Sequence, residues 1–264
     1  MGCASRRRTS ADSASIPTIG AVPASVVLVH GLRTSASMWR AQLDALDRAE
    51  IPARAIDLPG HGSRMAERFA VATAMAAIGD AVDAMTGPVI LCGLSLGGYL
   101  SLHWAATEGA ERIDGLIAAA CGTTPRGAAL EGYRRIAAGI GRLPDRGAGL
   151  NRLMLRTFVP EPGRTDVESG GIALDVMADG LREISVVRPI DAIGRIRVPI
   201  LLVNGELDHF RLQERRYLAA ARARPQVPAS WSGLLVVPGA SHLVSVTRPE
   251  AFSRLLLGAA ARAD

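Results

Sequence analysis

Three residues of this chain have side chains that could together turn a hydroxyl group into a nucleophile: Ser95, Asp208 and His242. A serine hydroxyl is a weak nucleophile until a base removes its proton during attack. Imidazole is the side chain best suited to take that proton near neutral pH. A carboxylate behind the ring would fix its tautomer and stabilise the imidazolium that forms. These residue types therefore predict acyl transfer through a covalent acyl-serine.

The serine lies at the centre of Gly93-Leu-Ser-Leu-Gly97, which matches the pattern G-x-S-x-G. The apolar run Val89–Cys92 precedes it and an apolar, helix-like segment follows it. A serine on such a sharp strand-to-helix turn needs glycine neighbours, because other side chains would collide with the strand or the helix. The N–H groups at the start of the helix would lie beneath Ser95 and favour an oxyanion there. The pattern alone is common by chance, so the interpretation depends on this context.

Strands alternate with helices along most of the chain. Short apolar runs predict strands at 26–29, 53–57, 89–92, 113–120, 198–203 and 234–237. Amphipathic or Ala-rich segments predict helices at about 38–49, 67–86, 96–108, 211–223 and 248–262. This alternation predicts the α/β class, with a mostly parallel sheet wrapped by helices on both faces. Ligands bind beyond the carboxyl ends of such strands, and Ser95, Asp208 and His242 each follow one of those ends. We therefore expect the three side chains to converge.

Three regions are expected from this pattern. Residues 1–24 read as a flexible tail, and residues 25–121 and 198–264 as the α/β core. The alternation stops between residues 122 and 197, which predicts a helical cap or lid inserted into the core. Some of the basic residues in this insertion could meet a substrate carboxylate, although exposure to solvent is expected for most of them: Arg126, Arg134, Arg135, Arg152 and Arg156.

Taken together, the motifs resemble those of the α/β-hydrolase family over residues 25–262. The matching pieces are His30-Gly31, Asp57-Leu-Pro-Gly-His-Gly62, Gly93-Leu-Ser-Leu-Gly97, Gly205-Glu-Leu-Asp208 and Gly239-Ala-Ser-His242. The order of nucleophile, acid and histidine is that of the family. The Leu-Ser-Leu-Gly-Gly run at the turn resembles the serine-nucleophile esterase and enol-lactonase branch. Little sequence precedes the first strand, so extra edge strands are expected to be missing or very short.

The resemblance implies a serine hydrolase without a cofactor or metal, acting on a small ester, thioester or lactone. It also implies that the backbone N–H groups of Leu32 and Leu96 form the oxyanion hole. Glu206 stays open as an alternative to Asp208 for the acid. Two other functions stay open as well: acyl transfer by the same three residues, and ligand binding without catalysis. The candidate pocket residues are His30, Leu94, Tyr133, Met154, Phe158 and Leu243.

The composition argues against several other classes of protein. The net charge of +5 would suit nucleic acid, but all 30 basic residues are arginines and they are scattered, without a patch of stacking aromatics. The three cysteines do not suggest a disulfide framework, and no metal-like spacing occurs. No apolar run is long enough for a membrane span. Pro17 and Pro23 interrupt the stretch after Arg6–Arg8, so we do not expect a signal peptide. We expect a cytoplasmic location instead. The oligomeric state stays open.

Overall fold

Six strands form one parallel sheet in the computed structural model, which describes residues 23–109, 111–228 and 232–261. The strands are β1 (Ser25–Val29), β2 (Ala53–Ile56), β3 (Val89–Leu94), β4 (Gly115–Ala119), β5 (Ile200–Gly205) and β6 (Gly233–Val237). Their order across the sheet is β2-β1-β3-β4-β5-β6, and each neighbouring pair is parallel. The predicted fold class is therefore confirmed. Nearly all of the predicted tail, and Cys3 with it, lies outside the described residues.

Helices connect these strands and cover the sheet. Their bounds are α1 (Arg40–Asp47), α2 (Val71–Asp83), α3 (Leu96–Thr107), α4 (Gly127–Gly141), α5 (Ala148–Phe158), α6 (Gly163–Ser169), α7 (Val176–Glu183), α8 (Pro189–Ile193), α9 (Glu214–Arg222), α10 (Val244–Thr247) and α11 (Pro249–Ala260). Short 3-10 turns lie at Ala36–Trp39, Gly62–Arg64 and Ile184–Val186. None of the described helices combines the length and apolarity that crossing a bilayer requires.

The central strands of the sheet are buried on both faces, as their apolar runs predict, whereas the edge strands β2 and β6 are partly exposed. Successive side chains of a strand point to opposite faces, so β1 divides its residues between two hydrophobic clusters. Val27 and Val29 pack in the cluster that contains residues of α2, α3 and α9. Val26 and Leu28 pack in the cluster that contains residues of α1 and α11. A strand covered on both faces has no solvated side, which explains its uninterrupted apolar sequence.

Five helices, α4 to α8, lie between β4 and β5 and interrupt the strand–helix alternation. Helices α4 and α7 pack against each other, and α6 packs against the 3-10 turn at Ala36–Trp39. Helix α8 packs against α3 and α9, and its residues Ala192 and Ile193 are fully buried. Helix α8 therefore packs with the helices that cover the sheet, although it lies within the segment 122–197 that the sequence predicted as a cap.

Candidate active site

Ser95 occupies a strained turn between β3 and α3. Its φ of 55° and ψ of −113° lie outside the regions that non-glycine residues favour. A Cβ on Gly93 would lie 2.3 Å from the carbonyl oxygen of Gly97, and a Cβ on Gly97 would lie 2.3 Å from the carbonyl oxygen of Val29. Atoms cannot approach so closely, so the turn requires glycine at both positions.

Hydrogen bonds hold the backbone of Ser95 on both sides of the turn. Its N–H donates to the carbonyl oxygen of Ala119 in β4 at 2.8 Å, and its carbonyl oxygen accepts from the N–H of Tyr99 in α3 at 3.0 Å. Strain of this kind persists only where surrounding structure over-determines the conformation. The sheet and the helix together therefore fix where the hydroxyl group stands.

The side chains of Ser95, His242 and Asp208 form a continuous hydrogen-bonded chain. His242 Nε2 lies 3.0 Å from Ser95 Oγ, and His242 Nδ1 lies 2.9 Å from Asp208 Oδ1. The three residues follow β3, β6 and β5, respectively, so they meet at the carboxyl edge of the sheet although 147 residues separate Ser95 from His242. Both distances are those of ordinary hydrogen bonds. In this arrangement the imidazole can accept a proton from the hydroxyl group.

Asp208 is fully buried behind the imidazole ring. Burial alone would raise the pKa of Asp208, but the hydrogen bond and charge of His242 lower it, as does the N–H of Phe210, which donates to Oδ1 at 2.8 Å. The hydrogen bonds and the charge together outweigh the effect of burial, so the pKa of Asp208 lies below its ordinary value. The carboxyl group therefore stays ionised, which is the form that accepts the Nδ1–H bond.

Glu206 makes a different contact. Its exposed side chain accepts a hydrogen bond from the N–H of Gly239 at 2.8 Å. This bond links the turn after β5 to the turn after β6, and His242 is bonded to Asp208 instead. The imidazole of His242 is therefore paired with Asp208, and Glu206 is not its partner.

The loop after β1 passes directly against the serine. A Cβ on Gly31 would lie 3.4 Å from the Cβ of Ser95. Leu32 follows Gly31, and both Leu32 and Leu96 line the cavity in front of Ser95. Across the described ranges, neither the N–H of Leu32 nor that of Leu96 has an acceptor. Two unused N–H donors beside a serine hydroxyl group could hold an oxyanion that forms there.

His30 is buried beneath this loop and does not line the cavity, which corrects the expectation for this residue. The N–H of Leu58 donates to His30 Nε2 at 3.0 Å, and His30 Nδ1 lies 2.8 Å from the carbonyl oxygen of Gly31. Because a backbone N–H can only donate, the ring proton must be on Nδ1. Burial, followed by the nearby charge of His61, lowers the pKa of His30 to about 3. His30 therefore links the loops after β1 and β2 as a neutral ring.

A cavity of about 690 Å³ opens in front of Ser95 and His242. Four of the predicted pocket residues line it: Tyr133, Met154, Phe158 and Leu243. Leu94 does not, because its fully buried side chain packs in the hydrophobic cluster on the α1 and α11 side of the sheet. Other lining residues belong to no motif and were missed by sequence reasoning: Arg33, Tyr99, Thr123, Asn151, Leu181 and Phe210.

Most of the residues that line the cavity come from the segment between β4 and β5, from its helices and the loops around them. Residues of α4, α5 and α7 that line it include Ile136, Ile140, Met154 and Leu181. The five arginines of this segment that could have met a substrate carboxylate are exposed and do not line the cavity. Within the described part of the chain, no group of three or more His, Cys, Asp or Glu residues is arranged to hold a metal ion.

Comparison with known proteins identifies the family. A model described as the alpha/beta hydrolase family matches residues 26–255, and the chain therefore belongs to that family. A comparison with curated proteins found no match. The family and the fold are thus shown, which confirms the predicted resemblance.

Solved structures share the fold at low sequence identity. One is an esterase from Thermogutta terrifontis (24% identity, TM-score 0.68, covering 91% of this chain and 90% of that chain). Another is a bromoperoxidase from Bacillus anthracis (22% identity, TM-score 0.69, 89% and 91%). A third is the enol-lactonase from Burkholderia xenovorans LB400 (19% identity, TM-score 0.62, 92% and 93%).

Proposed function

We propose that this protein hydrolyses a carboxylic ester or a related acyl bond, in a small ester, thioester or lactone, through an acyl intermediate on Ser95. The observation that carries the proposal is the hydrogen-bonded chain from Ser95 through His242 to Asp208 at the floor of a cavity. A hydroxyl group, a base and a carboxylate in this geometry are the components of a serine nucleophile.

In the first half of the reaction, Ser95 Oγ attacks the acyl carbon while His242 Nε2 takes the hydroxyl proton. Asp208 keeps the other ring proton on Nδ1 and stabilises the imidazolium. The carbonyl oxygen becomes an oxyanion between the N–H groups of Leu32 and Leu96. Each such donor lowers the barrier by about 3 kcal/mol. His242 then gives its proton to the leaving alcohol, and the acyl group remains on Ser95.

In the second half, a water molecule takes the place of the alcohol. His242 removes a proton from this water, which attacks the acyl-serine and forms a second oxyanion at the same two N–H groups. Collapse of that intermediate releases the carboxylic acid, and His242 returns the proton to Ser95 Oγ. The free enzyme is then restored without a cofactor having taken part.

The helices between β4 and β5 serve in this proposal as a cap over the acyl site, within the segment 122–197 expected from the sequence. Helices α4, α5 and α7 supply apolar side chains to the cavity wall, including Ile136, Ile140, Met154 and Leu181. A largely apolar wall with a few polar groups is typical of small-molecule sites. Such a wall favours an acyl or alcohol portion of several carbons over a very polar one.

The test is the turnover of p-nitrophenyl butyrate by the wild type and by Ser95→Ala. The alanine variant should lose at least about 10³-fold in kcat, because the nucleophile is gone. A fluorophosphonate probe should label Ser95 in the native protein and should not label the variant. Ser185→Ala is a matched control, because Ser185 lies outside the cavity wall and bonds only the carbonyl oxygen of Arg182. Labelling of another serine, or full activity of Ser95→Ala, would refute the proposal.

A further inference from the structure

Arg33 is a positively charged residue in the wall of the cavity, one position after Leu32. Its φ is 71°, in the left-handed region that non-glycine residues rarely adopt. Its carbonyl oxygen accepts a hydrogen bond from the N–H of Ala173 at 3.1 Å, which ties the loop to the segment before α7. The backbone of Arg33 is therefore held in a defined place between the sheet and the cap.

The guanidinium group of Arg33 has few partners within the protein. One terminal nitrogen donates to the amide oxygen of Asn151 at 2.8 Å, and the Nε–H is buried without an acceptor. No Asp or Glu among the described residues forms a salt bridge with it. Burial lowers the pKa of Arg33, although a guanidinium remains charged at neutral pH. A partly buried cation with unused donors is costly unless an anion joins it.

The other arginines near the cap do not share this position. Arg134 and Arg135 lie near Glu131, and Arg152 is exposed on α5 next to Asn151. In the part of the chain that the structure describes, Arg33 is the one arginine that lines the cavity. Apart from the residues around Ser95, that wall is mostly aliphatic and aromatic. A single unpaired cation in such a wall provides an anchor for one negative group of a ligand.

We propose that Arg33 binds a carboxylate of the substrate, so that the natural substrate is an ester, thioester or lactone that also carries a free carboxylate. This inference rests on the proposed function for the acyl chemistry and adds the class of substrate. A guanidinium presents N–H groups in a plane that matches the two oxygens of a carboxylate, and such charge-assisted bonds are among the strongest hydrogen bonds in proteins. Asn151 holds the guanidinium in place for this contact.

The test compares substrates that differ only in charge. Monoethyl succinate, monoethyl glutarate and monoethyl adipate each carry a free carboxylate at a different distance from the ester. Their neutral counterparts carry a carboxamide instead. Hydrolysis by the wild type, Arg33→Gln, Arg33→Lys and Arg152→Gln is followed in a pH-stat. Arg152→Gln makes the same chemical change at an exposed neighbour of Asn151 and is the matched control.

For the best half-ester, the wild-type kcat/KM should exceed that of the carboxamide about 10- to 100-fold, as expected for hydrogen bonds to a charged group. Arg33→Gln should bring this ratio to about 1, Arg33→Lys should give an intermediate ratio, and Arg152→Gln should retain the full preference. A wild-type ratio near 1 for all three chain lengths, or a full preference in Arg33→Gln, would overturn the inference. Melting temperatures show whether each variant is folded. If Arg33→Gln does not fold, the ratio measured for Arg33→Lys decides whether the carboxylate preference depends on Arg33.

A binding measurement separates this inference from the proposed function. Calorimetry with the Ser95→Ala protein gives the affinity for each half-ester and each carboxamide without turnover. Tighter binding of the half-ester that disappears in Ser95→Ala/Arg33→Gln supports the carboxylate site, even if no ester is hydrolysed and the proposed function fails. Equal affinity for both compounds overturns the carboxylate site, even if p-nitrophenyl butyrate is hydrolysed at Ser95.

Discussion

Lowering the pH should destabilise the protein through His30, which lies beneath the loop that carries Leu32. The ring is fully buried, and its Nε2 accepts the hydrogen bond from the N–H of Leu58. A proton added to Nε2 would replace this acceptor with a second donor and place a charge in the core. For this reason burial lowers the pKa of His30 from 6.5 to about 3.

The magnitude follows from linkage between protonation and folding. Between pH 6.5 and pH 3 the unfolded chain binds a proton at His30 and the folded chain does not, so the free energy of unfolding falls as the pH falls. The contribution of the neutral His30 ring to the free energy of unfolding is therefore fully present above pH 6.5. At pH 5 the loss amounts to about 2 kcal/mol, and it grows by about 1.4 kcal/mol for each further pH unit until pH 3 is reached.

Urea unfolding of the wild type and His30→Gln at pH 8, 6 and 5 measures this effect. The glutamine oxygen can still accept from the N–H of Leu58, but the side chain does not titrate. The burial of other histidines, such as His61, also lowers their pKa, so the difference between the two proteins isolates His30. The stability advantage of the wild type should shrink by about 2 kcal/mol between pH 8 and pH 5. Parallel stability profiles for the two proteins over this range would refute the reasoning.

Two further comparisons test the acid and the turn. Asp208→Asn should lower kcat for p-nitrophenyl butyrate about 10³- to 10⁴-fold, because the amide no longer holds the imidazole in the required tautomer. Glu206→Gln should lower kcat a few-fold at most. A larger loss of kcat in Glu206→Gln than in Asp208→Asn would make Glu206 the acid. Gly97→Ala should lower the free energy of unfolding by about 3 kcal/mol or more, since its Cβ would meet the carbonyl oxygen of Val29 at 2.3 Å. Gly132→Ala, with open space around it in α4, should raise the stability by about 0.5–1 kcal/mol in the same urea experiment; similar losses in both glycine variants would contradict the steric account.

The centre of the sheet could be predicted from sequence because β1, β3 and β4 are buried on both faces. A run such as Val26–Val29 has no alternative to a strand when a turn follows it so soon. The prediction was less accurate for the start of α2. The expected start was residue 67, but the helix begins at Val71, and Ala70 is extended with φ −145° and ψ 150°. Composition favours a helix over the whole stretch, and only the tertiary contacts of the preceding turn decide where it begins.

The meeting of Ser95, Asp208 and His242 could be predicted for a topological reason. Parallel strands place their carboxyl ends at one edge, so residues that follow different strands come together however far apart they lie in the chain. The position of Leu94 could not be predicted in this way. At the strand end next to Ser95, a leucine can face either the cavity or the core, and the local sequence is the same in both cases.

Arg33 shows why the lining of the cavity is harder to predict than the meeting of Ser95, Asp208 and His242. Its partner Asn151 lies 118 residues away in α5, and no spacing rule connects a loop arginine to an asparagine in a helical insertion. The side chains of the hydrogen-bonded chain come from loops after strands, where the backbone geometry is set by the sheet. A large part of the cavity wall comes from α4, α5 and α7, whose positions depend on how one helix packs against the next.

Gly180 in α7 lies where the helices of the cavity wall contact the loop after β1. A Cβ at this position would lie 2.6 Å from a methyl carbon of Leu32, so α7 packs directly onto the loop that carries one of the proposed oxyanion donors. A larger residue here would first have to displace the end of the Leu32 side chain, because the atoms that its Cβ would meet all belong to that side chain. Substitutions elsewhere on the cavity face of the cap can change the shape of the wall while the loop stays in place. In the proposed function, selectivity for the acyl group can therefore vary through α4 and α5, whereas a shift of α7 towards the sheet would first press on the Leu32 side chain.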